Sequence, residues 1–155
     1  SVSDPYVVNA QVVVMKADAV DKYTTPESLK ALAIAVENGS AGQDAAAAAG
    51  VENLVLVQDQ AAALLEVKSG TANFAILDAQ LAKSYCGKGD YSDLEIVENM
   101  SSDVEYYAIG FKKGSELTAN VNAQLEKLAA DGTIAALAEK YGVSNTAITD
   151  FSDQK

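Results

Sequence analysis

The sequence reads as an α/β chain, a mainly parallel sheet flanked by helices. Short apolar runs, many of them β-branched, alternate with segments of helical period; turn residues separate the two kinds; and a pair of amphipathic segments closes the chain. Composition agrees. With 155 residues, 49% of them hydrophobic and 21% charged, the chain suits one ordinary domain or two small lobes with a core to bury.

Strands are expected at 12–15, 33–36, 54–57, 74–77, 94–97 and 104–111, each apolar and bounded by turn formers. The first helix start is marked by Thr25 as N-cap, with Pro26 at the first helical position, where a missing N–H costs nothing. The alanines at 45–49 are good helix formers and continue a helix opened by the preceding loop. A further helix is predicted over 59–69, with Ala61, Leu64, Leu65 and Lys68 on one face and Gly70 as its left-handed stop. Another follows Asp78 and covers 79–85. Near the end, Leu117, Val121, Leu125 and Leu128 form one apolar stripe. After the Asp131-Gly132 break, Ile134, Leu137, Ala138 and Tyr141 form a second, ended by Gly142. From Val143 onward the chain is polar and is expected to fray.

Charge and missing residue types exclude much chemistry. Eleven Lys against 22 Asp and Glu give a net charge of -11, a field that repels nucleic acid and anionic membrane surfaces alike. There is no His, so no Ser-His-Asp or Cys-His catalysis and no imidazole ligand; there is no Arg, so no bidentate clamp on a carboxylate or phosphate. Cys86 is the only cysteine and reads as a small, partly buried residue. Asp90, Asp93 and Glu95 do not follow a calcium-loop spacing, so no metal site and no cofactor are expected. No apolar run is long enough to span a bilayer, and the first residues lack a signal-peptide pattern. Since the chain begins at Ser1 and not at Met, a processing boundary is expected there.

Two features can carry chemistry, and both fall at the carboxyl ends of expected parallel strands, where open α/β sheets bind ligands. One is Glu37-Asn38-Gly39-Ser40-Ala41-Gly42-Gln43. Gly39, Ala41 and Gly42 let the backbone come close to a ligand, Ser40 adds a hydroxyl, and the helix start behind them offers unpaired N–H groups to an anion. Its ordinary reading is a strand-to-helix turn. The other feature is Asp78, a carboxylate leaving a buried strand, whose ordinary reading is a helix cap. Together they form a receptor for a zwitterion, with the carboxylate on the Gly39–Gly42 loop and the ammonium on Asp78. Tyr106-Tyr107 is read as strand packing rather than as a ligand shelf.

Ser3-Asp4-Pro5-Tyr6 with Gln11-Val12-Val13-Val14, then residues 36–42, then Ala63-Leu64-Leu65-Glu66-Val67-Lys68-Ser69-Gly70 running to Phe74-Ala75-Ile76-Leu77-Asp78, are followed by Ala108-Ile109-Gly110-Phe111-Lys112-Lys113-Gly114 and Leu128-Ala129-Ala130-Asp131-Gly132-Thr133. In order and spacing this series resembles the extracellular amino-acid-binding proteins of ABC importers from Ser3 to Gly142. The resemblance implies a periplasmic-binding-protein-like fold whose two lobes close on one free amino acid, which is then delivered to a membrane permease. It implies that Ser40 and the amides near Ala41 hold the ligand carboxylate and that Asp78 takes the ammonium group. It also implies secretion, to the periplasm or to a lipid-anchored place on the outer face of the cell membrane.

Two departures accompany the resemblance. Family members commonly carry Thr where Ala41 stands, so only an amide serves there. Most of the family's first lobe, with its carboxylate-binding Arg and aromatic shelf, has no counterpart. Residues 1–11 and 106–142 are therefore expected to be pieces of that lobe, 12–105 the complete second lobe, and 143–155 a polar tail. Hinges are expected near 10–12 and 105–107. The final helix pair would expose its leucines, so a dimer, a domain swap or association with a separate N-terminal piece is expected to cover them. Two other classes remain: a small-acid dehydratase on the same fold, for which Glu37 and Asp78 are the only acids at the strand ends, and a ligand-sensing domain of a membrane receptor. Neither gains a residue of its own, and no catalytic residue is expected.

Overall fold

The computed structural model describes residues 1–152, the side chains of residues 98 and 99 left aside. In chain order the elements are β1 (Val7–Asn9), β2 (Gln11–Lys16), α1 (Ala17–Val20), α2 (Pro26–Leu29), β3 (Ile34–Glu37), α3 (Ala41–Ala48), β4 (Leu54–Val57), α4 (Gln60–Ser69), β5 (Phe74–Asp78), α5 (Ala79–Tyr85), a 3-10 turn at Gly89–Tyr91, β6 (Leu94–Ser101), β7 (Glu105–Tyr107), α6 (Leu117–Ala130) and α7 (Thr133–Lys140). They fall into two compact units, Ala10–Asp103 and the remainder.

In the larger unit five strands lie in the order β4-β3-β5-β2-β6. β3 pairs in parallel with β4 and β5, whereas β2 runs antiparallel to both β5 and β6. The sheet is thus mixed, with β2 against the direction of the other four. Because both faces are covered, its strands are apolar on both sides. Val12, Val14, Ala35, Ala75 and Leu77 point to the layer holding Ala63, Leu64 and Val67 of α4 and Ala79 and Ala82 of α5. Val13, Met15, Ile34, Val36, Phe74 and Ile76 point to the layer of Leu29 and Ala46, from α2 and α3. Alternation along each strand distributes the core between the two layers.

The helix faces differ in one place from the periodicity. Leu65 is 54% exposed, and α4 instead buries Ala63, Leu64 and Val67. Apolar residues lie nearly all round this helix, so its period selects no face and the sheet does. Its ends are as expected: Asp59 Oδ1 accepts from the Ala62 amide at 2.7 Å, and Gly70 stands at φ 85°. Thr25 precedes Pro26 as the N-cap but makes no side-chain capping bond.

In the smaller unit β1 and β7 pair antiparallel, with Val8 opposite Tyr106. The strand expected over 104–111 is shorter, because its partner segment carries Pro5, which has no N–H to give to a ladder. Beyond that gap Ser3 Oγ accepts from the Ile109 amide at 2.9 Å, and a single bridge joins Val2 to Gly110. Residues 144–152, the described part of the expected tail, do not fray. The Val8 amide donates to the Thr146 carbonyl at 2.7 Å, the Ile148 amide donates to the Tyr6 carbonyl at 2.9 Å, and Phe151 is buried. The bonds of residues 146–148 continue the β1 ladder on the side away from β7, a pairing that polarity alone does not reveal.

Candidate functional site

The connections fix where a ligand can meet the sheet. From β3 the chain enters α3 in one layer, and from β5 it enters α5 in the other. β3 and β5 are adjacent and parallel, so their carboxyl ends separate into opposite layers and leave a crevice between them. Gly39, Ser40, Ala41 and Gly42 follow β3; Asp78 ends β5. The expected residues thus lie at the carboxyl ends of two adjacent parallel strands.

On the β3 rim, Gly39 adopts φ 76°, a left-handed conformation that turns the chain into the helix. Ser40 is the N-cap of α3, its Oγ accepting from the Gln43 amide at 3.2 Å. Gln43 returns the bond one residue earlier, its Oε1 accepting from the Gly39 amide at 2.7 Å. The ordinary capping role of Ser40 is therefore present. Gln43 and Asp44 amides already bond the Ser40 carbonyl, which leaves the Ala41 and Gly42 amides at the positive end of the helix without an intrahelical carbonyl. Ala41 is exposed, and Gly42 is buried.

On the β5 rim, Asp78 is half-buried and makes no capping bond to α5 with its side chain. Its carboxylate is held across the crevice floor instead. Gln11 Nε2 donates to Oδ1 at 2.7 Å, and Gln60 Nε2 donates to Oδ2 at 3.1 Å. The Asp78 amide in turn donates to Gln60 Oε1 at 3.0 Å. Gln11 also reaches the other rim: a Cβ built on Gly42 would meet Gln11 Oε1 at 3.2 Å and the Ile76 carbonyl oxygen at 2.8 Å. One buried amide thus spans from the glycine of the helix start to the carboxylate of Asp78. Neither Gln11 nor Gln60 was singled out by the sequence for this place. The available signal was a polar residue immediately before the β-branched run of β2, and another immediately after the Asp59 cap.

Other candidates lie elsewhere. Tyr106 and Tyr107 belong to β7 in the smaller unit and are exposed there, rather than packed as expected. Burial pushes the Cys86 thiol up from 9.0, with the Lys88 ammonium acting weakly in the opposite sense, so the group is held as a thiol. Glu37 is half-buried at the end of β3.

A mixed sheet with helices in both layers, whose adjacent parallel strands β3 and β5 lead into opposite layers, is a periplasmic-binding-protein-like α/β fold. The family comparison gives the same result at a finer level: the model of the bacterial extracellular solute-binding proteins, family 3, matches residues 1–144, and the chain belongs to that family. Among solved structures, the arginine-, lysine-, histidine-binding protein ArtJ of Geobacillus stearothermophilus is 26% identical with a TM-score of 0.79, over 91% of this chain and 62% of that one. A mutant of ArgBP from T. maritima is 29% identical, TM-score 0.79, over 91% and 61%. The ancestral amino acid-binding protein AncCDT-1, a precursor of cyclohexadienyl dehydratase, is 28% identical, TM-score 0.79, over 91% and 60%. The chain therefore spans about three-fifths of the length of these relatives. A comparison with curated proteins returns no match.

Proposed function

We propose that the chain is the amino-acid-binding part of an extracellular solute-binding protein that serves an ABC importer. One observation carries this reading: the α3 start and the Asp78 carboxylate, of opposite polarity, stand at the carboxyl ends of adjacent parallel strands, with the Gln11 side chain reaching from one to the other. The Ala41 and Gly42 amides and the Ser40 hydroxyl would take the ligand carboxylate, and Asp78 its ammonium group. The similar structures are of proteins that bind amino acids, arginine among them, which supports the same ligand class. Residues 10–103 would then be the second lobe and the remaining unit a part of the first, with the hinge where the chain crosses between units at 9–10 and 103–104. The protein would work outside the cytoplasm, in the periplasm or lipid-anchored at the outer face of the membrane, and hand its ligand to a permease.

No catalytic role is proposed. A dehydratase needs a proton donor, whereas both Asp78 oxygens accept hydrogen bonds, and AncCDT-1, the precursor of a dehydratase, is itself an amino acid-binding protein. A test is a titration of the ¹⁵N-labelled chain with each of the common amino acids up to millimolar concentration. Saturable shifts of the Ser40, Ala41, Gly42 and Asp78 amides are expected for at least one of them. Shifts absent for all, or confined to residues away from these four, would end the proposal.

A further inference from the structure

The Asp78 carboxylate is held by side chains from two other segments of the chain. We propose that Gln11 and Gln60 are positioning residues, a two-amide clamp that holds Asp78 in the orientation from which it receives the ligand's ammonium group. The inference deepens the reading above and rests on it. Its basis is the three-element geometry. Gln11 opens β2, Gln60 opens α4 and Asp78 closes β5, so three separate segments converge on one carboxylate. Gln11 Nε2 takes Oδ1 and Gln60 Nε2 takes Oδ2. Each amide fixes a different oxygen, which prevents the carboxylate from turning about its terminal torsion.

Both clamps are themselves anchored. The Gln11 backbone is locked to the end of β6, its amide donating to Ser102 Oγ at 2.9 Å and its carbonyl accepting from the Ser102 amide at 2.8 Å. The residue is 3% exposed and forms part of the wall of an apolar cavity of about 170 Å³ shared with Val13, Leu29, Phe74, Ile76 and Met100. Away from water a hydrogen bond to a charged oxygen is stronger, and its direction is better kept. Gln60 is fixed by a second bond of its own, from the Asp78 amide to its Oε1. A side chain that both donates to and accepts from the same residue cannot release one contact without loosening the other.

A carboxylate prepared in this way needs little reorganisation when an ammonium group arrives, which is how a supporting shell raises affinity. The clamp should therefore act on the ammonium end of the ligand alone. The experiment compares L-arginine with its desamino analogue, 5-guanidinopentanoate, by amide-shift titration of the wild-type chain and of Gln60→Ala, Gln11→Ala and Asp78→Asn. Gln60→Ala is expected to weaken L-arginine by about five- to tenfold, the scale of one lost charge-assisted bond, and to leave the analogue within about twofold. Gln11→Ala should do the same, and adding Gln60→Ala to Asp78→Asn should cost nothing further. Equal losses for both ligands, or a Gln60→Ala loss that persists beside Asp78→Asn, would show a merely structural role and overturn the clamp. If Gln11→Ala unfolds, Gln60→Ala, at a half-buried position, still decides. A wild-type chain that shows no shift with L-arginine removes the binding reading for that ligand and the clamp with it, whereas normal wild-type binding unchanged in Gln60→Ala overturns the clamp alone.

Discussion

Gly42 is the residue where local conformation and site chemistry meet. A methyl group there would lie 2.8 Å from the Ile76 carbonyl oxygen, part of a central strand that cannot yield, and 3.2 Å from Gln11 Oε1, which can. Gly42→Ala is therefore expected to cost about 1–3 kcal/mol in denaturant unfolding and to displace the Gln11 amide. A loss below about 0.5 kcal/mol would mean that α3 does not approach the sheet so closely. Cys86 supplies a second residue-scale prediction. Only the thiolate is alkylated at an appreciable rate, and burial raises the pKa above 9.0, so iodoacetamide at pH 8 should modify the folded chain several-fold more slowly than the urea-unfolded chain. Equal rates would place this thiol in an ordinary exposed environment.

Among the elements, α4 has the best-defined ends. Asp59 caps one terminus and Gly70 closes the other with φ 85°, with nothing within 4 Å of a hypothetical Cβ. Asp59→Ala should cost about 1 kcal/mol by losing the cap. Gly70→Ala should cost about 1–2 kcal/mol through backbone strain alone. The two ends share no partner, so the double variant should add to within about 0.5 kcal/mol in urea unfolding; a larger coupling would indicate that the helix melts as a unit from either end. The junction between α6 and α7 titrates. Asp131 accepts from Thr133, and this holds its carboxyl below the usual 3.8. A lowered folded-state pKa contributes stability that is present above the unfolded value and is lost as pH falls through the folded one. The contribution should therefore fade below about pH 4, and Asp131→Asn should flatten that part of a stability-against-pH curve.

For the whole molecule, the two units differ in how completely they cover apolar surface. The larger one closes both faces of its sheet. In the smaller one α6 buries no residue, α7 buries only Ala138, and Leu117, Leu137 and Tyr141 are 58%, 49% and 69% exposed. Tyr6, Leu125, Ile134 and Leu137 line an apolar groove of about 210 Å³ beside these helices. Each Å² left in water forgoes about 25 cal/mol, so a covering partner is expected: a second copy, exchanged elements or the part of the fold that the longer relatives possess. Light scattering should give a mass above the monomer, and Leu137→Glu should lower it. A monomeric mass with no increase in the fluorescence of a hydrophobe-binding dye would count against any such partner.

Much of this was written locally. Alternating β-branched runs located the strands of the larger unit to within a few residues, since a buried strand must be apolar. Asp59, Gly70 and Gly142 marked helix ends because caps and left-handed stops act over a few residues. Glycines and a serine after one strand and a carboxylate after another were visible as candidate ligand groups for the same reason. What local pattern cannot contain is a relation between distant segments. The antiparallel course of β2, the face that α4 presents, the pairing of the 146–148 segment beside β1 and the convergence of Gln11 and Gln60 on Asp78 all join residues remote along the chain. Each was decided by sheet order and packing, because hydrogen bonds and buried area belong to the folded neighbours and not to the neighbours in sequence.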